Sequence, residues 1–565
     1  MKFVAAAVRV VRAANQAKKT MMKHKTHFTS FVLSHVAIGL VAIASNLSAK
    51  TFPQVGVPLA NPRIDLMAED NVIAPGFDVQ IVAQGSDPLE NTSGLITHFG
   101  HLNDFPPRPI EATKTEPDEN TYLVLDHNPG GPTEGYDYGR HFLFQGHENG
   151  SDLAYITRIN LDIADADHRI TLLTPEGTNS KTGFNSIDGS VWDPFTQTLL
   201  FTQEAGGNGG IIELSSDWPP STRTLYGILG RGGYEGIHPD GKGNLLILED
   251  AGGTGVNIDP SNTNSAKAAK NPNSFVFRFI PKNVHDLAAG GKLQALQVWI
   301  DGQPVQFINV DSNHPFGDAF SDNQLKLHTP ETSWPVRWVT VHDTATDGTN
   351  EFGANALAKA KGATPFKRPE NGQYLPGSNF RTFFFDATGD TDARAGGQPA
   401  LAARGAWGSI FRVDLNEAYD AGSISLFFLG DSDHAAFDNL TFATGNLLLA
   451  AEDRGDNLHK QLGKLDSLWA FNVAKPHATP VRFIALGRDT ASTFDAHQLD
   501  TSTAGFQNEG DNEPTGLHVS DGDDSISGLI GISEPEGGRC FFTQQHGLNT
   551  VFEVIRTHPG SRAGD

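Results

Sequence analysis

A recurring unit of short apolar strands bounded by acidic residues is the feature that most constrains the fold of this chain. In one copy, Glu235 precedes a short apolar segment, a Pro-Asp-Gly turn follows, and the apolar run 244–248 ends at Glu249. A second copy has the same order, from Asp438 to Glu452. Short strands that repeat at regular intervals with turn residues between them are typical of a β-propeller, in which each unit forms one blade.

Five copies of the unit are recognisable, and we interpret His147-Glu148 as part of a sixth copy upstream. The five copies begin at Asn185, Tyr234, Gly362, Phe437 and Asn512. With 60 glycines and 32 prolines, the chain has too many turn formers for a helical protein. The sequence therefore predicts an all-β fold, a six-bladed β-propeller that forms a single domain over residues 50–565.

Three long stretches interrupt the repeated units. They are residues 253–273, 284–361 and 390–404, which are rich in small and polar residues. We interpret them as loop insertions on one face of the propeller, with a short helix from Ala354 to Ala360.

The first 49 residues differ from the rest of the chain. A basic segment at residues 22–25 precedes an apolar run from Phe31 to Ala44, which is too short to span a bilayer comfortably and has the length of a signal peptide. We interpret residues 1–20 as an upstream extension. We therefore expect a Sec-type signal peptide within residues 1–49 and an exported protein, periplasmic or extracellular, whose mature part has no transmembrane segment.

The net charge and the cysteine content limit the partners and the kinds of metal site that this chain can have. The formal net charge of −24 argues against a nucleic-acid partner, and it fits either an acidic exported protein or one whose carboxylates bind cations. Cys540 is the single cysteine, so the chain has neither an intramolecular disulfide nor a multi-cysteine metal site. Because Cys540 lies in an apolar strand pattern, we interpret it as a buried structural residue.

The first acids of the units would lie at equivalent positions of their blades. In a propeller the innermost strands border the central channel, so these carboxylates would converge at its mouth. Like charges raise each other's pKa, and divalent cations with oxygen ligands, calcium first, would relieve the repulsion. The predicted metal ligands are Asp188, Glu235, Glu370, Asp438 and Glu513, with Glu148 and Glu204 as further candidates. The alternative is that these are turn-forming and solvated acids between strands.

Arg368 and Glu370 flank Pro369 in the third unit. Proline biases the preceding residue toward an extended backbone, and residues i and i+2 of an extended segment point the same way. We therefore predict that Arg368 and Glu370 face one site, where the guanidinium group suits a phosphate or a carboxylate. A turn is expected at Asn371-Gly372, and a strand is expected from Phe380 to Phe385.

The segment 362–372, Gly-Ala-Thr-Pro-Phe-Lys-Arg-Pro-Glu-Asn-Gly, resembles a motif of the PhoX-type alkaline phosphatases. These are secreted calcium- and iron-dependent β-propeller enzymes. The resemblance implies that Arg368 binds phosphate and that Glu370 binds metal. Two shorter segments are also similar to family motifs, Phe-Asp-Asn-Leu around Asp438 and Tyr-Glu-Gly around Glu235, and they imply metal-binding acids at both positions.

The resemblance extends from about His141 to Ile555 and includes one chemical departure. The family has an iron-ligating cysteine in an Asn-Cys segment, whereas residues 185–189 read Asn-Ser-Ile-Asp-Gly and Cys540 is distant in sequence. An oxygen ligand such as Asp188 favours a harder ion than a thiolate does. We therefore expect calcium as the cofactor, with iron absent or scarce.

These observations favour an exported metal-dependent phosphatase that hydrolyses phosphate monoesters of small molecules and that is a monomer. Arg368 would be the catalytic residue that binds the phosphate and stabilises charge in the transition state. A second hypothesis is a calcium-dependent esterase or lactonase with His147, His238 or His546 as the base. A third is a non-catalytic propeller in which calcium is structural.

Overall fold

The computed structural model describes residues 55–62, 71–91, 94, 96–100, 116–177, 181–487, 513–531, 538–545 and 549–557. The predicted signal peptide at residues 1–49 lies outside the described residues, and so does His546. Among the helices that the structure describes, none is long and apolar enough to cross a membrane.

Antiparallel strands are the main regular secondary structure of the described chain. The first fifteen are β1 (Val72–Ile73), β2 (Phe77–Ala83), β3 (Glu116–Val124), β4 (His141–Glu148), β5 (Tyr155–Asn160), β6 (Ile170–Leu172), β7 (Ile187–Asp193), β8 (Thr198–Gln203), β9 (Gly210–Ser215), β10 (Thr222–Thr224), β11 (Tyr234–Pro239), β12 (Leu245–Glu249), β13 (Gly255–Val256), β14 (Ala269–Lys270) and β15 (Val276–Pro281). The others are β16 (Gly291–Ile300), β17 (Gln303–Pro304), β18 (Ser333–Asp343), β19 (Gly372–Tyr374), β20 (Thr382–Ala387), β21 (Ser409–Leu415), β22 (Ala421–Leu429), β23 (Phe437–Thr444), β24 (Leu447–Glu452), β25 (Ser467–Asn472), β26 (Val481–Ala485), β27 (Pro514–Ser520), β28 (Arg539–Gln544) and β29 (Thr550–Arg556).

The helices are short and lie in the connections between strands. They are α1 (Ala166–Arg169), α2 (Tyr226–Leu229), α3 (Asp322–Leu327), α4 (Thr344–Asp347), α5 (Ala354–Ala360), α6 (Ala393–Gly396), α7 (Pro399–Ala402) and α8 (Gly455–Leu462). Three turns of 3₁₀ helix lie at Gly206–Asn208, Leu287–Ala289 and Ile526–Ile530. Helix α5 coincides with the helix that the sequence predicts.

The strands form sheets around a ring. Three sheets run β3-β4-β5-β6, β7-β8-β9-β10 and β27-β28-β29-β2, a fourth runs β23-β24-β25-β26-β1, and the largest runs β11-β12-β15-β16-β18-β22-β21-β20-β19 with β17 paired to β16. The innermost strands β3, β7, β11, β19, β23 and β27 each contact the next, and β27 contacts β3. This propeller-like arrangement confirms the predicted fold class.

Strands from both ends of the described chain complete the ring. Strand β2 pairs with β29, with Val79 opposite Val554, and thereby joins the first part of the chain to the last. Strand β18 pairs on one side with β16 and on the other with β22, so two groups of strands share one continuous sheet. The blade count of six therefore stays a prediction.

The hydrophobic core lies between neighbouring sheets. Leu200 on β8 and Ile247 on β12 are fully buried in the same apolar cluster, although they belong to different sheets. Burial of each such side chain stabilises the fold by about 1.5–3 kcal/mol relative to exposure. The facing apolar surfaces therefore hold neighbouring sheets together.

The prediction that residues 284–361 form only a loop with one helix is wrong. This stretch contains β16, β17 and β18, which extend the sheet outward from β15. The physical reason is visible in β16, where Leu293 and Ala295 are buried while the alternating Lys292 and Gln294 are not. This period of two is the strand pattern that half-buried sheets require.

Candidate metal centre at the inner strands

Acidic residues lie near the start of the inner strands, where pairing with the second strand is interrupted. The interruption contains Asp188 in β7, Glu235 in β11, Asp438 in β23 and Asp118 in β3. A β-bulge bends its strand and re-aims the side chains within it. The bulges therefore explain how side chains from separate sheets turn toward one place.

Glycine follows two of these acids and allows the inner strands to approach closely. A Cβ atom on Gly189 would lie 2.1 Å from the carbonyl oxygen of Glu235. A Cβ atom on Gly236 would lie 2.9 Å from the Cα atom of Asn371. Real side chains do not occur at such distances, so these positions need glycine for the backbones to converge.

The carboxylates form three groups in which one oxygen atom of each residue lies within 4.8 Å of the others. The groups are Asp118, Glu148 and Asp188; Glu204, Glu235 and Asp250; and Glu235, Glu370 and Asp438. The structure thus brings six of the seven predicted ligands into these groups. The seventh, Glu513, interacts electrostatically with Asp438 and Glu148. The role of all seven as metal ligands stays a prediction.

The clustering changes the acidity of the carboxyl groups. Burial, followed by the charge of neighbouring carboxylates, raises the pKa well above the ordinary value for Glu148, Asp188, Glu204, Glu235 and Asp438. Burial also raises the pKa of Glu370 to about 7, and the charge of Asp250 adds to this effect. The carboxyl groups therefore cannot all be ionised near neutral pH without added positive charge.

The donor set fits a hard divalent cation. The three groups contain only carboxylate oxygens, which are the ligands that calcium prefers. Asp188 is 2% exposed, and its Oδ1 atom has no hydrogen-bond partner among the described residues. Cys540 lies half-buried on β28, outside these groups, and burial raises the pKa of its thiol to about 12. The residues thus suit calcium better than a metal that needs a thiolate ligand.

Arg368 lies between the second and third carboxylate groups. Its Nε atom donates to Asp250 Oδ2 at 2.8 Å, and its Nη2 atom lies 3.3 Å from Glu370 Oε1. The side chain remains 19% exposed, so it is accessible from outside the cluster. The structure thus brings Arg368 and Glu370 to one site, as the sequence predicts.

The predicted backbone around Arg368 is wrong. Arg368 has φ 56°, in the left-handed region, instead of an extended conformation. Its carbonyl accepts a hydrogen bond from Thr388 N at 2.9 Å, and these contacts with the chain after β20 override the bias from proline. The turn expected at Asn371-Gly372 is also absent, because β19 begins at Gly372. The strand expected from Phe380 to Phe385 is β20, which runs from Thr382 to Ala387.

Hydrogen bonds fix Glu370 beside Glu235. The Glu370 carbonyl accepts from Gly236 N at 2.9 Å, which ties this segment to β11. The Thr388 hydroxyl donates to Glu370 Oε1 and also lies 3.1 Å from the carbonyl of Phe437. Glu370 is therefore held by neighbours on both sides, at the junction of three inner segments.

The sequence reasoning missed Asp118 and Asp250. Asp118 lies in β3, which is the inner strand of its sheet and begins at Glu116, ahead of the apolar residues from Tyr122 onward. Its carboxylate accepts hydrogen bonds from Thr515 and Gln545, and burial raises its pKa to about 7. An acid ahead of an apolar strand was the available signal, because the same pattern marks the other units.

The position of Glu148 also differs from the predicted repeat. Glu148 ends β4, the second strand of its sheet, just as Glu204 follows β8. Other acids that end second strands have structural partners: Glu249 accepts from Asn355 at 2.9 Å, and Glu452 pairs with buried Arg454 at 2.7 Å. Only some strand-end acids therefore join the carboxylate groups.

The candidate histidine bases have structural environments. His147 is fully buried, stacks on Tyr155 and lies 2.8 Å from Thr157 Oγ1, and burial lowers its pKa well below the usual value. His238 lies 3.3 Å from Asn371 Oδ1, and burial lowers its pKa to about 4. These side chains therefore pack in the fold, and the third candidate, His546, lies outside the described residues.

Comparison with known proteins shows distant structural similarity only. No family model matches the chain, and no curated protein matches it. TolB from Acinetobacter baumannii is 9% identical with a TM-score of 0.27, and the match covers 77% of this chain and 63% of that one. A putative 6-phosphogluconolactonase from Bacteroides fragilis is 8% identical with a TM-score of 0.31, covering 79% and 100% respectively. The PQQ-bound aldose sugar dehydrogenase from Streptomyces coelicolor is 14% identical with a TM-score of 0.20, covering 60% and 93%.

Proposed function

We propose that the protein is an exported, metal-dependent phosphatase that hydrolyses phosphate monoesters of small molecules. The observation that supports this function is the position of Arg368 between two carboxylate groups that fit divalent cations. Phosphatases need positive charge around the phosphoryl oxygens, and an arginine beside cations provides it in a geometry that suits a tetrahedral anion.

Different residues of the site would bind the cations and the substrate. Glu235, Glu370 and Asp438 would hold one cation, and the other two carboxylate groups would hold further ones. When bound, calcium would supply the positive charge that stabilises a phosphoryl group in its transition state. Thr388 keeps Glu370 oriented toward the group through its hydroxyl.

Arg368 would bind the phosphate of the substrate. A guanidinium group has five N–H donors, and those that Asp250 and Glu370 do not occupy can donate to phosphate oxygens. Because the surrounding site is buried, such charge-assisted hydrogen bonds are strong and strengthen as charge develops in the transition state. Arg368 would therefore both orient the phosphate and lower the barrier.

The proposal includes kinship with the PhoX-type phosphatases. Its support is the segment 362–372, in which the two residues that resemble the family motif, Arg368 and Glu370, lie in contact at the candidate centre. The esterase or lactonase alternative has less support, because His147 and His238 are buried among structural partners. In a non-catalytic calcium propeller, the exposed part of the Arg368 side chain would have no substrate to bind.

Hydrolysis of p-nitrophenyl phosphate and p-nitrophenyl acetate by the purified protein tests the three alternatives. A phosphatase hydrolyses the phosphate ester, loses this activity with a chelator and regains it with calcium. Hydrolysis of the acetate alone would establish an esterase, and calcium binding without hydrolysis of either would establish a non-catalytic protein. The Glu370→Gln variant is the control, since it removes one predicted ligand and should abolish the calcium-dependent activity.

A further inference from the structure

The three insertions pack together beside the candidate centre. Val256 and Ala269, from residues 253–273, share a buried apolar cluster with Leu401 of α7 and with Ala319. Residues from three separate parts of the chain therefore form one small packed body.

A cleft of about 500 Å³ lies against this packed body and reaches Arg368. Its charged lining includes Lys267, Lys270, Asp390, Asp392 and Asp453. A volume of this size suits a small organic molecule. Because Arg368 belongs both to the candidate centre and to the cleft, a molecule whose phosphate contacts Arg368 would extend into the cleft.

Several charges in the cleft are already neutralised by partners. Asp390 accepts from Lys367 Nζ at 2.9 Å on both oxygens, and this pair is buried. Asp392 pairs with Arg394 at 2.6 Å. Asp453 also lines the cleft and interacts electrostatically with Arg368.

Among the described residues, the Lys270 ammonium group has no carboxylate within ion-pair distance, although the charges of Asp250, Asp390 and Glu370 act on it from further away. Its Nζ atom lies 3.2 Å from the Thr391 hydroxyl. Burial, followed by the positive charge of Arg368, lowers the pKa of Lys270. Lys267 lines the same cleft and is exposed. Two lysines thus present positive charge to the cleft beside Arg368, in a protein whose net charge is −24.

We infer that this cleft is a second anion subsite, in which Lys270 and Lys267 bind a second phosphoryl group of a substrate whose first phosphoryl group contacts Arg368. The inference rests on the proposed function and narrows its substrate class to small molecules with two phosphoryl groups. An anion placed here would be attracted by three cationic side chains, and Thr391 would hold the Lys270 ammonium group in place.

The test compares glucose 1,6-bisphosphate with glucose 6-phosphate, which differ by one phosphoryl group. Initial rates of phosphate release give kcat/KM for each compound with the calcium-loaded protein. We expect the wild type to prefer the bisphosphate, and we expect Lys270→Met to lower the ratio of the two kcat/KM values about tenfold, the loss of one charge-assisted hydrogen bond. Lys270→Arg should restore most of the preference.

The matched control is Lys292→Met, because Lys292 pairs with Asp343 on outer strands at 3.3 Å and should leave the ratio unchanged. If Lys270→Met fails to fold, Lys267→Met tests the same subsite. An unchanged ratio in both variants, or an equal loss for both compounds, would overturn the inference.

A binding measurement separates this inference from the proposed function. Titration calorimetry with the two compounds should show tighter binding of the bisphosphate to the wild type, and Lys270→Met should remove the difference. If the wild type hydrolyses neither compound but retains this Lys270-dependent preference, the phosphatase assignment fails and the subsite stands. Equal binding of both compounds to the wild type would overturn the subsite.

Discussion

Arg368 combines an unusual backbone with two carboxylate partners. A non-glycine residue at φ 56° carries strain that its surroundings must offset, and such residues concentrate at functional sites. The preceding Lys367 is buried against Asp390, and the carbonyl of Arg368 is bonded to Thr388 N. These contacts fix the position from which the guanidinium group reaches both Asp250 and Glu370.

Replacing Arg368 with lysine tests its predicted role in catalysis. Lysine keeps the charge but cannot donate two parallel hydrogen bonds in one plane. We expect Arg368→Lys to lower kcat/KM for p-nitrophenyl phosphate by roughly 10²-fold, about 3 kcal/mol of transition-state stabilisation. Steady-state kinetics measures the change, and calorimetry should show calcium binding close to that of the wild type.

Glu370→Gln is the contrasting variant, because it should lose calcium affinity and thermal stability together. If Arg368→Lys retained full activity, Arg368 would only be an ion-pair partner of Asp250 and Glu370. Mild and equal effects of the two substitutions would support that structural role.

At this scale the sequence predicted that Arg368 and Glu370 face one site, but not the backbone conformation that brings them there. Local propensity placed Arg368 in an extended conformation, whereas hydrogen bonds from residues after β20 decide its φ. Asp250 was missed as a partner for the same reason, because its contact with Arg368 joins residues 118 positions apart.

At the scale of elements, the start of an inner strand is the unit from which the centre is built. The acid, the bulge and the following glycine occur together in β7 and β11, at Asp188-Gly189 and Glu235-Gly236. The bulge turns the acid inward, and the glycine lets the neighbouring strand approach. Each of these two strands thus contributes a candidate ligand, and its glycine leaves room for the neighbouring inner strand.

Adding a methyl group at Gly189 should disturb two strands at once. The Cβ atom of Gly189→Ala would lie 2.1 Å from the Glu235 carbonyl oxygen, so β7 and β11 must separate. We expect the free energy of unfolding to fall by about 1–3 kcal/mol, as for other overpacked sites. Urea denaturation measures the loss, and calcium affinity should fall with it because Glu235 moves.

Gly207→Ala is the matched control, since a Cβ atom there has no heavy atom within 4 Å. It should change stability little in either direction. If Gly189→Ala were as stable as this control, the close approach of the two strands would not be needed for the fold.

The sequence predicted strands that have clear periodicity and lie outside the insertions, but it missed the strands within residues 284–361. Strand-turn-strand units such as β11–β12 are evident from their apolar runs and the turn between them. Strand β18 was missed because its exposed and buried residues mix irregularly, and its place in the sheet depends on pairing with β16 and β22. Such long-range pairing is not a local property of the chain.

At the scale of the whole molecule, the ring of inner strands concentrates negative charge along one axis. The net charge of −24 is a property of the sequence, whereas the convergence of the acids depends on the closed ring of inner strands. The repeat predicted that acids at equivalent positions would meet, because such positions in a closed ring face the same channel, but it did not predict the part played by Asp118 and Asp250. It could not predict which acids would find structural partners, as Glu452 does with Arg454.

The stability of the cation-free protein should depend on pH in a specific direction. Burial raises the pKa of Glu370 from 4.5 to about 7 and that of Glu119 to about 8. A raised folded-state pKa means that the native protein binds more protons than the unfolded chain. This contribution to stability is complete below about pH 4.5 and is lost as the pH rises through 7 to 8.

Urea midpoints of chelator-treated protein between pH 5 and pH 8 measure this dependence. We expect the midpoint to fall steadily across that range. Excess calcium should flatten or reverse the trend, because bound cations favour the ionised carboxylates. If the midpoint rose with pH in the presence of chelator, ionisation of these carboxyl groups would not destabilise the folded protein, and the prediction would be wrong.

The most direct test of the cation centre is the thermal unfolding of the purified protein with chelator and with added calcium. Binding to the native state alone should raise the melting temperature, with about 2.7 kcal/mol of stabilisation for each site at a calcium concentration 100 times its Kd. Elemental analysis of the same sample should find calcium and little iron. A melting temperature that neither chelator nor calcium changes would contradict the proposal that these carboxylates bind cations.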